Sequence, residues 1–145
     1  MRQDDIAQDQ TYVTDHNVPL TATIVGNKVR ISGDGEADLK PNSGGHRFKF
    51  TISSPPRLTV EFASLDSEDN CSTCPPAAGE NSTQIVAVKI GSDTAWFTDN
   101  NNNSNGPMDV SYQWNFTCDD PKLTVEPFDP IIKNGGTTTP GGGIA

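Results

Sequence analysis

Apolar and polar residues alternate through most of the chain, and they do so every second residue rather than every third or fourth. That is strand periodicity, because successive side chains of an extended backbone leave on opposite faces. Val18 to Val25 alternates, Gly26-Asn27 follows, and Lys28 to Ser32 alternates again. This is the pattern of a two-residue hairpin in which Gly supplies a positive φ. His46 to Ile52 puts Phe48, Phe50 and Ile52 on one face, with Arg47, Lys49 and Thr51 on the other. Ser53-Ser54-Pro55-Pro56 breaks that strand, since Pro cannot donate to a ladder. Arg57 to Ala63 then resumes with Leu58, Val60 and Phe62 inward, and the two runs read as neighbouring strands.

Residues 64–83 read as a long acidic loop, and 33–45 as a turn-rich stretch. Gln84 to Ile90 groups Val86, Val88 and Ile90, with Thr94 to Thr98 as a short partner. In Asp109 to Cys118, Val110, Tyr112, Trp114, Phe116 and Cys118 share a face, so a slip of one residue would expose all five. Lys122 to Val125 and Ile131-Ile132 close the series. No helical period occurs. The pattern predicts an all-β chain, a single antiparallel β-sandwich with an immunoglobulin-like or cupredoxin-like outline. The sandwich should occupy 17–133, after a flexible lead-in over 1–16 and before a disordered Gly/Thr-rich tail over 134–145.

Composition changes this picture in one respect. At 145 residues the chain is one domain long, and its 32% hydrophobic content suffices for a core because the apolar residues are concentrated in the alternating runs. Asp and Glu number 19 against 10 Lys and Arg, a net charge of −9. Ten of the acids and one base, Lys89, fall between Leu58 and Pro121, a local excess equal to the whole net charge. Such a surface repels phosphate backbones and anionic headgroups, which argues against nucleic acid and membrane as partners. Another protein, or self-association, fits better. The start, MRQDDIAQDQ, is acidic where a signal peptide is basic and then apolar, so a cytoplasmic location is the default expectation.

Two motifs could carry chemistry. Cys71-Ser72-Thr73-Cys74 has redox or metal-hairpin spacing, but Pro75-Pro76 forbids the helix that a thioredoxin-type thiolate needs. A zinc site would have to recruit Cys118, His16 or His46, none of which is paired at the usual second spacing. A Cys71–Cys74 disulfide stapling the loop, or two thiols, is the simpler expectation, and Cys118 should be a small buried hydrophobe. In the run from Asp99 to Gly106, the oxygens of Asp99, Asn101 and Asn103 are what a hard cation would use. Ser104 and Val110 stand where a calcium loop has its Gly and its Glu, and Asn runs also make turns. Asp66, Glu68 and Asp69 read as solvated loop acids. No cofactor is expected.

The segment Lys122 to Lys133, KLTVEPFDPIIK, carries Glu126-Pro127 and Asp129-Pro130. It is similar to the small bacterial DP-EP family, named for such dipeptides. That resemblance covers the last quarter of the ordered chain and implies a β-sandwich with no activity to carry over. The prolines have a physical reading of their own: they stop pairing on one side, as in an edge strand or a crossing peptide. The cupredoxin outline brings no copper site, because Asp119-Asp120-Pro121-Lys122 follows Cys118 where His and Met are wanted. The function expected is a non-enzymatic module that binds or assembles through its loops and strand edges. The alternatives are a metal-binding or redox accessory protein using the Cys71/Cys74 loop, and a small hydrolase with a carboxylate site. A shared loop site requires that 64–83 and 99–107 meet at one end of the sandwich.

Overall fold

Strands account for every regular element in the computed structural model, which describes residues 12–71, 75–119 and 122–137. They are β1 (Tyr12–Val25), β2 (Lys28–Ser32), β3 (Ala37–Leu39), β4 (Gly45–Ser53), β5 (Val60–Asp69), β6 (Ile85–Ile90), β7 (Thr94–Asp99), β8 (Met108–Cys118), β9 (Thr124–Val125) and β10 (Ile131–Asn134). One sheet has the order β6-β7-β4-β1-β2-β9, the other β3-β10-β8-β5. The all-β expectation holds. The β1–β2 hairpin forms with Val25 opposite Lys28, and Gly26 takes a φ of 64° that a side chain would resist.

The purely antiparallel arrangement does not hold. β1 runs parallel to β4, β2 to β9, and β10 to β3. After β2 the chain leaves the larger sheet to lay down β3 in the smaller one, and it returns as β4 on the side of β1 away from β2. Pro19 is tolerated within β1 because the pairing with β2 begins only at Thr21, so Pro19 has β4 alone as its neighbour. β4 and β5 are not neighbours either: Pro55-Pro56 carries the chain from one sheet to the other.

Several boundaries also move. β5 continues through Asp69, inside the stretch read as loop, because a bulge between Phe62 and Ser64 shifts the inward set from Val60 and Phe62 to Leu65 and Ser67. In β6 a second irregularity, with Ala87 at φ 55°, breaks the alternation, so Ile85 is buried and Ile90 is exposed. β3 sits within the turn-rich stretch. β1 begins at Tyr12, inside the predicted lead-in, and residues 1–11 lie outside the described residues. At the other end Asn134 completes β10 and is buried, and Gly135 and Thr137 donate to the carbonyls of Leu39 and Asn103. Residues 134–137 of the predicted tail thus belong to the fold, and 138–145 lie outside the described residues.

Between the sheets, Phe50 and Phe97 meet Tyr112 and Trp114, with Phe48 packed on both phenylalanines and Phe50 edge-on to the Trp114 ring at 5.5 Å. Each such ring contributes on the order of 2–3 kcal/mol by leaving water. The interior is anchored by these aromatics.

Candidate functional site

Where β7 ends, Asp99 Oδ1 accepts a 2.9 Å bond from the backbone NH of Asn101, which holds a left-handed turn at φ 50°. Asn tolerates that conformation better than most residues. The Asn101 side chain then works as a staple: its Nδ2 lies within 3.2 Å of Lys40 O, Ser43 Oγ and Gly44 O, and its Oδ1 accepts from Gly136 NH at 2.8 Å. Asn103 donates to Gly106 O, and Gln84 accepts from the Asn102 NH through its side chain and from the Asn100 NH through its carbonyl. Thus Asp99, Asn101 and Asn103 come together at one end of the sandwich, all buried, and Asn101 is fully engaged in closing it. Burial pushes the Asp99 carboxyl up to about 6, against the opposing pull of its bonds from Asn134 and Asn101. Asp99 Oδ2, Asn103 Oδ1 and Asn134 Oδ1 are buried with no hydrogen-bond partner.

The two loops do meet. Asn70 NH donates to Asp109 O, and Asn70, Thr83, Gln84 and residues 102–108 line a pocket of about 330 Å³. The three acids read as solvated strap the segment after the Cys71 turn onto β5. Asp66 accepts from Gly79 NH, Glu68 from Ala77 NH, and Asp69 from Ser82 and Thr83 at 2.6–3.0 Å. Cys71 is buried and disulfide-bonded, while Cys74 lies outside the described residues and Cys118 is a buried thiol in β8. Among the described residues no group of three or more His, Cys, Asp or Glu could hold a metal ion.

His16, placed in the lead-in by its sequence position, instead stacks on Phe48 at 4.5 Å and lies 2.9 Å by its Nε2 from His46 Nδ1. His46 Nε2 lies 2.8 Å from Ser43 Oγ, and Ser43 donates its one proton to Lys40 O. With the Ser43 proton on Lys40 O, Ser43 Oγ accepts from His46 Nε2–H and His46 Nδ1 accepts from His16 Nε2–H. Accepting on Nδ1, His46 is neutral in this line. Burial lowers the pKa of both rings, reinforced at His46 by the neighbouring His16 and opposed at His16 by Asp15.

On the outer face of the larger sheet, the register places Lys49, Trp96 and Lys89 side by side across β4, β7 and β6. Both ammonium groups and the Arg47 guanidinium lie 5.8–6.0 Å from the indole centroid. Arg47 is neutralised by Asp15 at 3.1 Å, whereas neither lysine forms an ion pair with a described carboxylate. Trp96 is half-buried and Lys49 exposed. Lys89, the one base in the acidic middle of the chain, is therefore set beside the one tryptophan on the surface. Sequence reasoning missed this group, because it exists only once three strands are aligned.

The outer face of the smaller sheet carries the reverse. Asp38, Lys133 and Asp109 stand side by side across β3, β10 and β8. With Asp34, Glu36 and Ile131 they line an open trough of about 540 Å³. The carboxylates of Asp34 and Glu36 add to the burial that raises the Tyr112 phenol, whose hydroxyl donates to Gly35 O at 2.7 Å. Asp34, Glu36 and Asp38 are exposed to water. The dipeptide prolines border the same region. Glu126 bonds back to β2 through its NH and through Arg30, and Phe128 packs inward, while Pro127, Asp129 and Pro130 line the next groove along. The segment is a crossing peptide between β9 of one sheet and β10 of the other.

No family model matches the chain, and no curated protein matches it. Among solved structures it is similar to the crystal structure of an inclusion body protein, PixA, from Burkholderia cenocepacia. The two share 9% identity over 86% of this chain and 97% of that one, with a TM-score of 0.25. At that score the likeness carries no argument. Among the described residues no helix is long and apolar enough to cross a membrane.

Proposed function

We propose that this domain is a non-enzymatic binding module whose working surface is the outer face of its larger sheet, centred on Trp96. The observation that carries the reading is the row Lys49–Trp96–Lys89: two lysines without a described carboxylate partner flank a half-exposed indole in a chain of net charge −9. Indole and cation together recognise an acidic protein surface, the ring supplying apolar area and the ammonium groups supplying charge. Strand edges suit recognition less well. β3 and β9 are three and two residues long, the outer edge of β5 is covered by Gly79, Asn81 and Ser92, and β6 is bent at Ala87.

Titrating the protein with a short peptide of Asp and Glu, and following tryptophan fluorescence, tests the reading. Trp114 is fully buried, so a surface event reports through Trp96. A saturable change that is absent with an Asn/Gln peptide and lost in Trp96→Phe supports it. No change at about millimolar peptide overturns it.

A second reading, a cation held at the loop end, is supported by the partnerless oxygens of Asp99, Asn103 and Asn134. Calorimetric titration with calcium chloride decides it. Stoichiometric heat abolished by Asp99→Ala favours the ion, and a flat titration rejects it.

A further inference from the structure

We infer that the partner of the Trp96 face is the acidic trough of a second copy of this chain, so that the domains join face to back. The inference rests on the binding reading above and names its partner. Two rows of side chains oppose one another in chemistry. Lys49–Trp96–Lys89 presents cation, ring, cation, and Asp38–Lys133–Asp109 presents anion, cation, anion. Both cross three adjacent strands, so both span about 10 Å, two inter-strand spacings. Laid on each other, each lysine of the first row meets a carboxylate and the Lys133 ammonium meets the indole face, the geometry of a cation–π contact. Asp34 and Glu36 at the rim of the trough extend the acidic surface beyond the row.

The two rows lie on different sheets, so one copy cannot satisfy both within itself. A contact between unlike surfaces leaves one of each unsatisfied at either end, and it propagates unless the rotation closes a ring. The net charge of −9 opposes this association at long range. Repulsion between whole domains is screened once the Debye length falls to about 10 Å near 0.1 M salt, while charges in contact are screened less. Association should therefore be strongest at intermediate ionic strength and weaker on either side.

Sedimentation velocity of the full chain across a salt series tests this, with two charge-reversal variants. Lys49→Glu with Lys89→Glu turns the basic row acidic, and Asp34→Lys with Asp38→Lys turns the trough basic. Each variant alone should associate at least about tenfold more weakly than the unaltered protein. Mixing the two should restore assembly, because the unaltered basic row of the trough variant meets the unaltered trough of the row variant. Near-ultraviolet circular dichroism checks that each is folded, and the neutral pair Lys49→Gln with Lys89→Gln stands in for any that is not, with an expected loss of the same sign. A chain that stays monomeric throughout the salt series overturns the inference, as does an equimolar mixture that stays monomeric while the unaltered protein assembles. If the acidic peptide still perturbs Trp96 in a strictly monomeric protein, the face binds another partner and only the second copy is excluded. If neither happens, both readings fall.

Discussion

Asn134 Nδ2 donates a 2.8 Å hydrogen bond to Asp99 Oδ1, joining the last residue of β10 in one sheet to the last residue of β7 in the other. The carboxyl that receives it is raised from 3.8 to about 6 by burial. A raised carboxyl holds its proton longer in the folded chain than in the unfolded one. Its contribution is therefore favourable below the unfolded value and is lost as pH rises through about 6. Asp99→Asn keeps the accepting oxygen and removes the titration. Relative to the unaltered protein, the variant should gain on the order of 2–3 kcal/mol as pH goes from about 4 to about 8, by urea unfolding. Stability curves that stay parallel over this range would contradict the assignment.

The two histidines push the other way. Their folded values lie below 6.5, so the unfolded chain takes up protons first and stability declines as pH falls below 6.5. Two-bond nitrogen correlation spectra should show both rings neutral near pH 7, each protonated on Nε2. A proton on Nδ1 of His46 at that pH, or a titration of either ring above 6.5, rules out the hydrogen-bond line from His16 to Lys40.

Gly35 is needed for space. A Cβ there would stand 2.4 Å from the Tyr112 hydroxyl and 2.6 Å from both Phe128 and Pro130, contacts that no ordinary packing allows. Gly35→Ala should cost about 1–3 kcal/mol in urea unfolding, as overpacking of a filled interior does. An unchanged midpoint would mean that the 33–36 segment yields easily.

Asn101→Ala removes the side-chain bonds to the 40–44 turn and to Gly136 in one step. A loss of about 2–4 kcal/mol is expected, since partners buried with it are left unsatisfied. Hydrogen exchange gives a sharper readout: the Gly136 amide should lose protection while the Trp114 amide in β8 keeps most of its own. Equal loss at both sites would show that Asn101 supports the whole sandwich rather than its end.

Much of the sandwich could be read from alternation alone. Phe48, Phe50 and Ile52, and Val110, Tyr112 and Trp114, all point inward as their spacing demands. Alternation failed where a single extra residue reverses its phase, after Phe62 and at Ala87, because a period of two carries no memory across a bulge. Sheet membership and strand direction were not legible, since alternation says which face is wet and nothing about the neighbour. The polar end of the fold was only half visible. Asp99 and the asparagines after it stood out, but Asn134 and His16 looked like terminal filler until long-range contacts gave each a place in the interior. Trp96 gave no signal beyond an aromatic in a short strand.

The position of β10 also constrains how the molecule can be made. Among the described residues β3 pairs with β10 alone, and β10 is the inner neighbour of both β3 and β8. Until Ile131–Asn134 have been synthesised, Ala37–Leu39 has nothing to lie against, and one flank of β8 stays bare. The contacts that finish the smaller sheet span roughly a hundred residues of chain, the slow class of closure. Assembly on the ribosome would therefore stall at an open half-sandwich, with exposed aromatics awaiting the final strand.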